Sequence, residues 1–129
     1  MFTIVIPTFN NINYLKICLS SLRKNSNFDH EIIVHVNEGL DGTVDYLKRA
    51  KYNYTYCEEN KGVCVAFNMA AKKSTKEYIV LGHDDMYFCP DWDLVFANEL
   101  KKNNTPLFFL SGTMVQPFKS YIELDCGTN

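Results

Sequence analysis

This sequence lacks most of the features that announce a specialised protein. It has no CxxC pair and no Cys/His set at zinc-ligand spacing, which removes the common structural zinc modules. Its five cysteines, Cys18, Cys57, Cys64, Cys89 and Cys126, are odd in number and scattered. That argues against a disulfide framework and for reduced thiols in a cytosol-like compartment. No apolar run approaches the length of a membrane span, and Phe2–Ile6 is too short for the apolar core of a secretion signal. The expected location is therefore cytoplasmic, with no integral membrane segment. There is no excess of either charge: the formal net charge is −2 and the pI is near 5.9. That argues against a general nucleic-acid or anionic-membrane surface and leaves room only for a local basic patch. Repeats, linkers and low-complexity segments are missing as well.

What is present suits one domain over residues 1–129 with a proper core, since 47% of the residues are hydrophobic and 22% charged. Phe2–Ile6 reads as a strand stopped by Pro7. Ile12, Leu15, Leu19 and Leu22, with Cys18 on the same side, recur at helical spacing and predict a helix to about Asn25. Glu31–Val36 reads as a second strand. Asp41 is placed to cap a short helix over Thr43–Ala50. Tyr52–Tyr56 alternates and predicts an edge strand, and Val63–Lys73 a helix of small residues. Tyr78–Leu81 is a buried-strand pattern, and a helix is expected from about Asp91 to Lys102. A last apolar run, Leu107–Leu110, follows, with no closing helix after it, so a fragment of a longer protein is expected. Strand and helix alternate, which predicts a mostly parallel sheet with helices on both faces. The strands beginning at Phe2, Glu31 and Tyr78 should be central.

Ligands of such sheets bind beyond the carboxyl ends of the strands. That rule collects Pro7–Asn10, Asn37–Asp41, Asn60–Gly62 and His83–Asp85 along one edge. The adjacent carboxylates Asp84 and Asp85 at a strand mouth repel each other, and a cation, a helix N-terminus or water must satisfy them. A solvated acidic turn is the equal alternative from that stretch alone. Phe9 offers a ring face for stacking or fills the core; Asn37-Glu38 can bond a base or ribose or form a solvated turn. Lys61-Gly62 before a helix can meet a phosphate, with Gly62 allowing close backbone approach, or make an ordinary turn. Trp92 reads as core.

Five segments in order carry a resemblance: Val5-Ile6-Pro7-Thr8-Phe9-Asn10; Cys18-Leu19-Ser20-Ser21-Leu22; Glu31-Ile32-Ile33-Val34 leading to Asp41-Gly42-Thr43; Asn60-Lys61-Gly62 with Ala66, Asn68 and Ala70; and Gly82 to Trp92. Together they resemble the nucleotide-sugar-binding half of a family 2 glycosyltransferase of Rossmann-like GT-A fold, over roughly residues 1–115. The resemblance implies a nucleotide-binding set of Pro7, Thr8, Phe9, Asn37, Glu38, Lys61, Gly62 and Asp84. It implies Asp85 as ligand of an Mn²⁺ or Mg²⁺ ion bridging a diphosphate. His83 stands where the family's acidic motif begins with a carboxylate, which leaves Asp85 the stronger ligand.

The implied partners are a nucleotide-diphosphate sugar, a UDP-sugar foremost, and a carbohydrate acceptor. The acceptor's general base comes from a downstream half in that family, and the late acids Glu123 and Asp125 are not assigned to the role. The alternative is a nucleotide-sugar-binding module whose acceptor half lies elsewhere. A phosphorylation-type receiver domain, similar in size and element order, would need acids after the first strand, where Thr8-Phe9-Asn10 stand.

Overall fold

The structure, a computed structural model, describes residues 1–103, 105 and 108–112. The chain alternates β1 (Phe2–Phe9), α1 (Ile12–Asn25), β2 (Glu31–Asn37), α2 (Thr43–Arg49), β3 (Asn53–Cys57), α3 (Val63–Ala71), β4 (Tyr78–Leu81) and α4 (Trp92–Lys102). The strands form one parallel sheet in the order β3-β2-β1-β4.

The two-residue period of a strand sorts β1 between two cores. Phe2, Ile4 and Ile6 join Val34 and Val36 of β2 on one face, under Leu15, Cys18, Leu19 and Leu22 of α1, Leu47 of α2 and Trp92 of α4. Val5 and Ile33 point to the other face, where Ala70, Phe67 and Ala71 of α3 cover them. Small residues let α3 lie close to the sheet, whereas α1 fills its layer with leucines. Each fully buried leucine contributes roughly 2 kcal/mol. The expected α/β architecture with helices on both faces is what forms.

The strand boundaries differ at Pro7. β1 runs through it to Phe9, pairing with β2 as far as Phe9↔Asn37. Pairing with β4 ends earlier, at Val5↔Leu81. The Val5 carbonyl accepts from Gly82 N–H on the β4 side, and backbone groups alternate in direction along a strand. The proton Pro7 lacks would therefore point past the end of β4, where no ladder bond is forfeited. β3 lies at an end of the order, as expected. Among the described residues β4 also lies at an end rather than in the centre, and Ile79 and Leu81 are 43% and 50% exposed, since α3 packs chiefly on β1 and β2. Residues 108–110 of the last apolar run form no strand, and Leu107, like Glu123 and Asp125, lies outside the described residues.

At the edge where the strands begin, Asp93 is fully buried and pins α4 to the connection before β2. It accepts from the backbone of Asn27 at 2.7 Å and of Phe28 at 2.9 Å, from the Asn27 amide at 3.1 Å, and from His30 Nε2 at 3.0 Å. Phe2 N–H donates to His30 Nδ1 at 3.2 Å, which places the ring proton on Nε2. Burial raises the Asp93 carboxyl, but the bonds from His30, Asn27 and Phe28 outweigh it and hold the group at about 2. Burial also lowers the His30 pKa, against the opposing pull of Asp93.

Candidate functional site

The strand order changes direction between β1 and β4: the chain first builds leftward through β2 and β3, then returns to the right of β1. At such a switch point the loops leaving neighbouring strands part and open a crevice. A cavity of about 370 Å³ lies there, lined by Pro7, Thr8, Phe9, Asn10, Asn11, Asn37, Asn60, Gly62, Val63, His83 and Asp84.

Its walls differ chemically. On the β1–β4 side the Thr8 hydroxyl donates to Asp84 Oδ2 at 2.6 Å. On the β2–α3 side the carbonyl oxygen of Asn37 accepts from Lys61 N–H at 3.1 Å, and that of Asn60 from Gly62 N–H at 3.0 Å. Both amides thus have their oxygens committed to backbone, and it is their N–H₂ groups that remain to donate. Phe9 stands beside Asn37 in the register and is 46% exposed, so its ring is a face and not core. Gly62 has φ +81 and opens α3; among the described residues α3 has no side-chain cap and nothing would meet a Cβ at Gly62, so the positive-φ backbone and not close approach requires glycine.

The loops are stitched together below the opening. Asn10 and Glu38 both have positive φ, 47 and 60. Asn10 Nδ2 donates to Glu38 Oε2 at 3.2 Å and its oxygen accepts from Leu40 N–H at 2.8 Å. Asp41 accepts from Ile12 N–H at 2.7 Å, and from the Thr43 backbone at 3.2 Å and hydroxyl at 2.7 Å. One carboxylate therefore serves the starts of α1 and α2; burial opposes its charge, but these bonds hold its pKa below the ordinary value. Below Asn37, the His35 ring is fully buried with Nδ1 2.7 Å from Thr55 Oγ1 and, among the described residues, no hydrogen-bond partner for Nε2. Burial lowers its pKa, with the neighbouring Asn37 side chain pulling the other way.

Of the residues expected at the site, Pro7, Thr8, Phe9, Asn37, Gly62 and Asp84 line the cavity together. Glu38 stands behind the wall on Asn10, and the Lys61 ammonium turns to Glu59 at 2.6 Å while its backbone faces Asn37. Asp85 is exposed just beyond the lining, beside Asp84. Both acids lie near Cys18, whose thiol burial, then Asp84 and Asp85, push up to about 12. Among the described residues no group of three or more His, Cys, Asp or Glu is gathered as a ready cation cage. The sequence reading placed Asn10 and Asn60 on this ligand edge without naming either in the nucleotide-binding set, and it did not single out Asn11 or Val63. The loop positions of these asparagines at strand ends were the available signal. Trp92 is core, at 9% exposure, as expected.

A larger cavity, about 440 Å³, opens at the opposite edge between Leu22, Arg23, His30, Tyr52 and neighbouring residues. Two of its polar groups are already engaged: Arg23 lies 4.2 Å over the Tyr52 ring, and His30 is held by Phe2 and Asp93.

An all-parallel sheet with helices on both faces defines a Rossmann-like α/β domain of the GT-A kind. The family described as Glycosyl transferase family 2 matches residues 3–118, and the chain belongs to it. Uncharacterized glycosyltransferases of Rickettsia bellii and Rickettsia conorii are 29% and 35% identical over 67% of this chain. The chain spans 13% and 15% of the length of those relatives. In fold it is similar to Staphylococcus aureus TarS residues 1–349, with TM-score 0.71 at 22% identity over 78% of this chain and 32% of that one. It is also similar to the mannosyltransferase PcManGT of Pyrobaculum calidifontis, with TM-score 0.66 at 22% identity over 81% of this chain and 33% of that one. No helix among the described residues is long and apolar enough to cross a membrane.

Proposed function

We propose that this chain carries the donor-binding half of a glycosyltransferase that moves a sugar from a nucleotide-diphosphate sugar to an acceptor hydroxyl with the help of a divalent cation. The observation that carries this reading is the Thr8–Asp84 hydrogen bond, which brings the acid loop of β4 onto the first-strand loop at the switch-point crevice. Comparison supports the ligand class: TarS has been crystallised with UDP and with UDP-GlcNAc, and PcManGT with GDP-Man and Mn²⁺.

In this reading the base lies against the Phe9 ring and takes a hydrogen bond from the Asn37 amide. Asp84, steadied by Thr8, accepts from a ribose hydroxyl. Lys61 exchanges its exposed partner Glu59 for phosphate, a small cost because such surface pairs contribute little. Asp85 and the outer face of Asp84 supply hard anionic oxygen, which fits Mg²⁺ or Mn²⁺ completing its shell with diphosphate and water. When bound, the ion supplies Lewis-acid stabilisation of the leaving diphosphate.

The narrower reading, a binding module whose acceptor half lies elsewhere, is favoured by the 13–15% of its relatives' length that the chain spans. Positioning an acceptor and its base accounts for much of the rate of a bimolecular transfer. Calorimetric titration with UDP, GDP, UDP-GlcNAc and GDP-Man, each with and without Mn²⁺, tests binding, with Mn²⁺-dependent affinity expected for at least one. A transfer assay run beside it is expected to give slow donor hydrolysis and little transfer. Absence of binding to every nucleotide would refute the proposal. Efficient transfer by this chain alone would refute the module reading and point to Glu123 and Asp125 for mutation.

A further inference from the structure

The acid loop, residues 82–91, has almost no ladder or helix bonds of its own; side chains of α1 hold it. Gly82 N–H still bonds Val5, and Met86 N–H closes a turn on the His83 carbonyl around Asp84 and Asp85. That carbonyl also accepts from Cys18 Sγ at 3.3 Å. Further along, both backbone groups of Phe88 are taken by α1: its N–H donates to Ser21 Oγ at 3.0 Å, and its carbonyl accepts from Asn25 Nδ2 at 2.6 Å. Asp91 N–H then donates to the Asn25 carbonyl at 3.2 Å. Ser21 completes its valence by donating to the Cys18 carbonyl at 2.8 Å.

Positions 18, 21 and 25 lie on one face of a helix. That face is turned inward: Cys18, Ser21 and Asn25 are 0%, 2% and 8% exposed. A buried serine within a helix and a buried asparagine at its last position are costly unless bonded, and here each is bonded to the loop. The adjacent carboxylates would by mutual repulsion spread the turn that bears them. The three α1 groups oppose that spread from below, while Thr8 holds Asp84 from the cavity side.

We infer that Cys18, Ser21 and Asn25 are positioning residues, which set the placement of Asp84 and Asp85 for the cation–diphosphate end of the donor through their bonds to His83 and Phe88. This rests on the proposed nucleotide-sugar binding. It makes no demand on the base end, which Phe9 and Asn37 form on other elements.

The test compares the 129-residue chain with Ser21→Ala, Cys18→Ala and Cys18→Ser, titrated with UDP plus Mn²⁺ and with uridine alone, while amide hydrogen exchange follows residues 83–88. For Ser21→Ala and Cys18→Ala, loss of the bond to the loop should weaken Mn²⁺-dependent UDP binding about fivefold or more, weaken uridine binding by a clearly smaller factor through the ribose contact of Asp84, and speed exchange at Met86 and Phe88. Cys18→Ser keeps a donor to the His83 carbonyl and should retain most of the affinity. If UDP and uridine weaken equally, or neither changes, α1 contributes only to folding and the inference fails while the nucleotide reading stands. If the unsubstituted chain binds no UDP with Mn²⁺, the nucleotide reading fails and this inference falls with it, an outcome distinct from the first.

Discussion

Thr8 at the end of β1 and Asp84 after β4, far apart in sequence, meet in a 2.6 Å hydrogen bond across the switch-point crevice. The bond occupies one oxygen of Asp84, which lines the cavity. Thr8→Val keeps the shape and removes the donor. UDP affinity with Mn²⁺ should fall roughly tenfold, the scale of one hydrogen bond to a charged group, and Thr8→Ser should restore most of it. Unchanged affinity in Thr8→Val, read by calorimetry, would mean that Asp84 needs no such support.

Asp84 and Asp85 should separate by function. Asp85 is exposed and free of protein hydrogen bonds among the described residues, whereas Asp84 is partly buried and engaged. Asp85→Ala should abolish most of the Mn²⁺-dependent gain in UDP affinity and leave metal-free uridine binding intact. Asp84→Ala should weaken both. Equal Mn²⁺ affinity in Asp85→Ala and the unsubstituted chain would move the cation elsewhere.

Asp41 bonds the first turns of two helices at once, at Ile12 and Thr43. A single N-terminal capping side chain contributes about 1 kcal/mol, so Asp41→Ala should cost about 2 kcal/mol in urea unfolding. Asp41→Asn should cost less, since it retains an acceptor. A loss under about 0.5 kcal/mol for Asp41→Ala would show that the two caps are replaced by water.

Acid should unfold the chain in two stages. His30 and His35 have folded pKa values below the ordinary 6.5, so the neutral rings stabilise the fold above that pH and their contribution is lost as pH falls through the lowered values. Asp93 has a folded pKa of about 2 against an ordinary 3.8, so its contribution is complete above about 4 and disappears as pH falls toward 2. The second stage should be about 2 kcal/mol, at 1.36 kcal/mol per pKa unit. Urea unfolding at pH 7.5, 5.5, 4 and 3 measures both stages, and Asp93→Asn should flatten the second while lowering stability at neutral pH. A stability curve level from pH 7.5 to 5.5 would show that neither histidine loses stability on protonation.

Periodicity determined a good deal by itself. The helix over Ile12–Asn25 and the strand over Tyr78–Leu81 form with the boundaries read from the sequence, the helix because its apolar spacing turns one face inward and the strand because its run is short and β-branched. Alternation of elements sufficed for the parallel sheet, and the strand-end rule brought Thr8, Asn37, Gly62 and Asp84 to one edge before any coordinates. Only the tertiary structure decided the rest. Pro7 stays within β1 because β4 is short, a fact about a neighbouring strand and invisible at Pro7 itself. Phe9 is a surface and not core because β1 runs two residues past Pro7. Whether Asn37 donates or accepts depends on a backbone N–H from Lys61, far along the chain. The bonds of Ser21 and Asn25 to Phe88 have no local pattern, since polar residues on an otherwise apolar helix face read as exceptions until the loop they hold is packed against them.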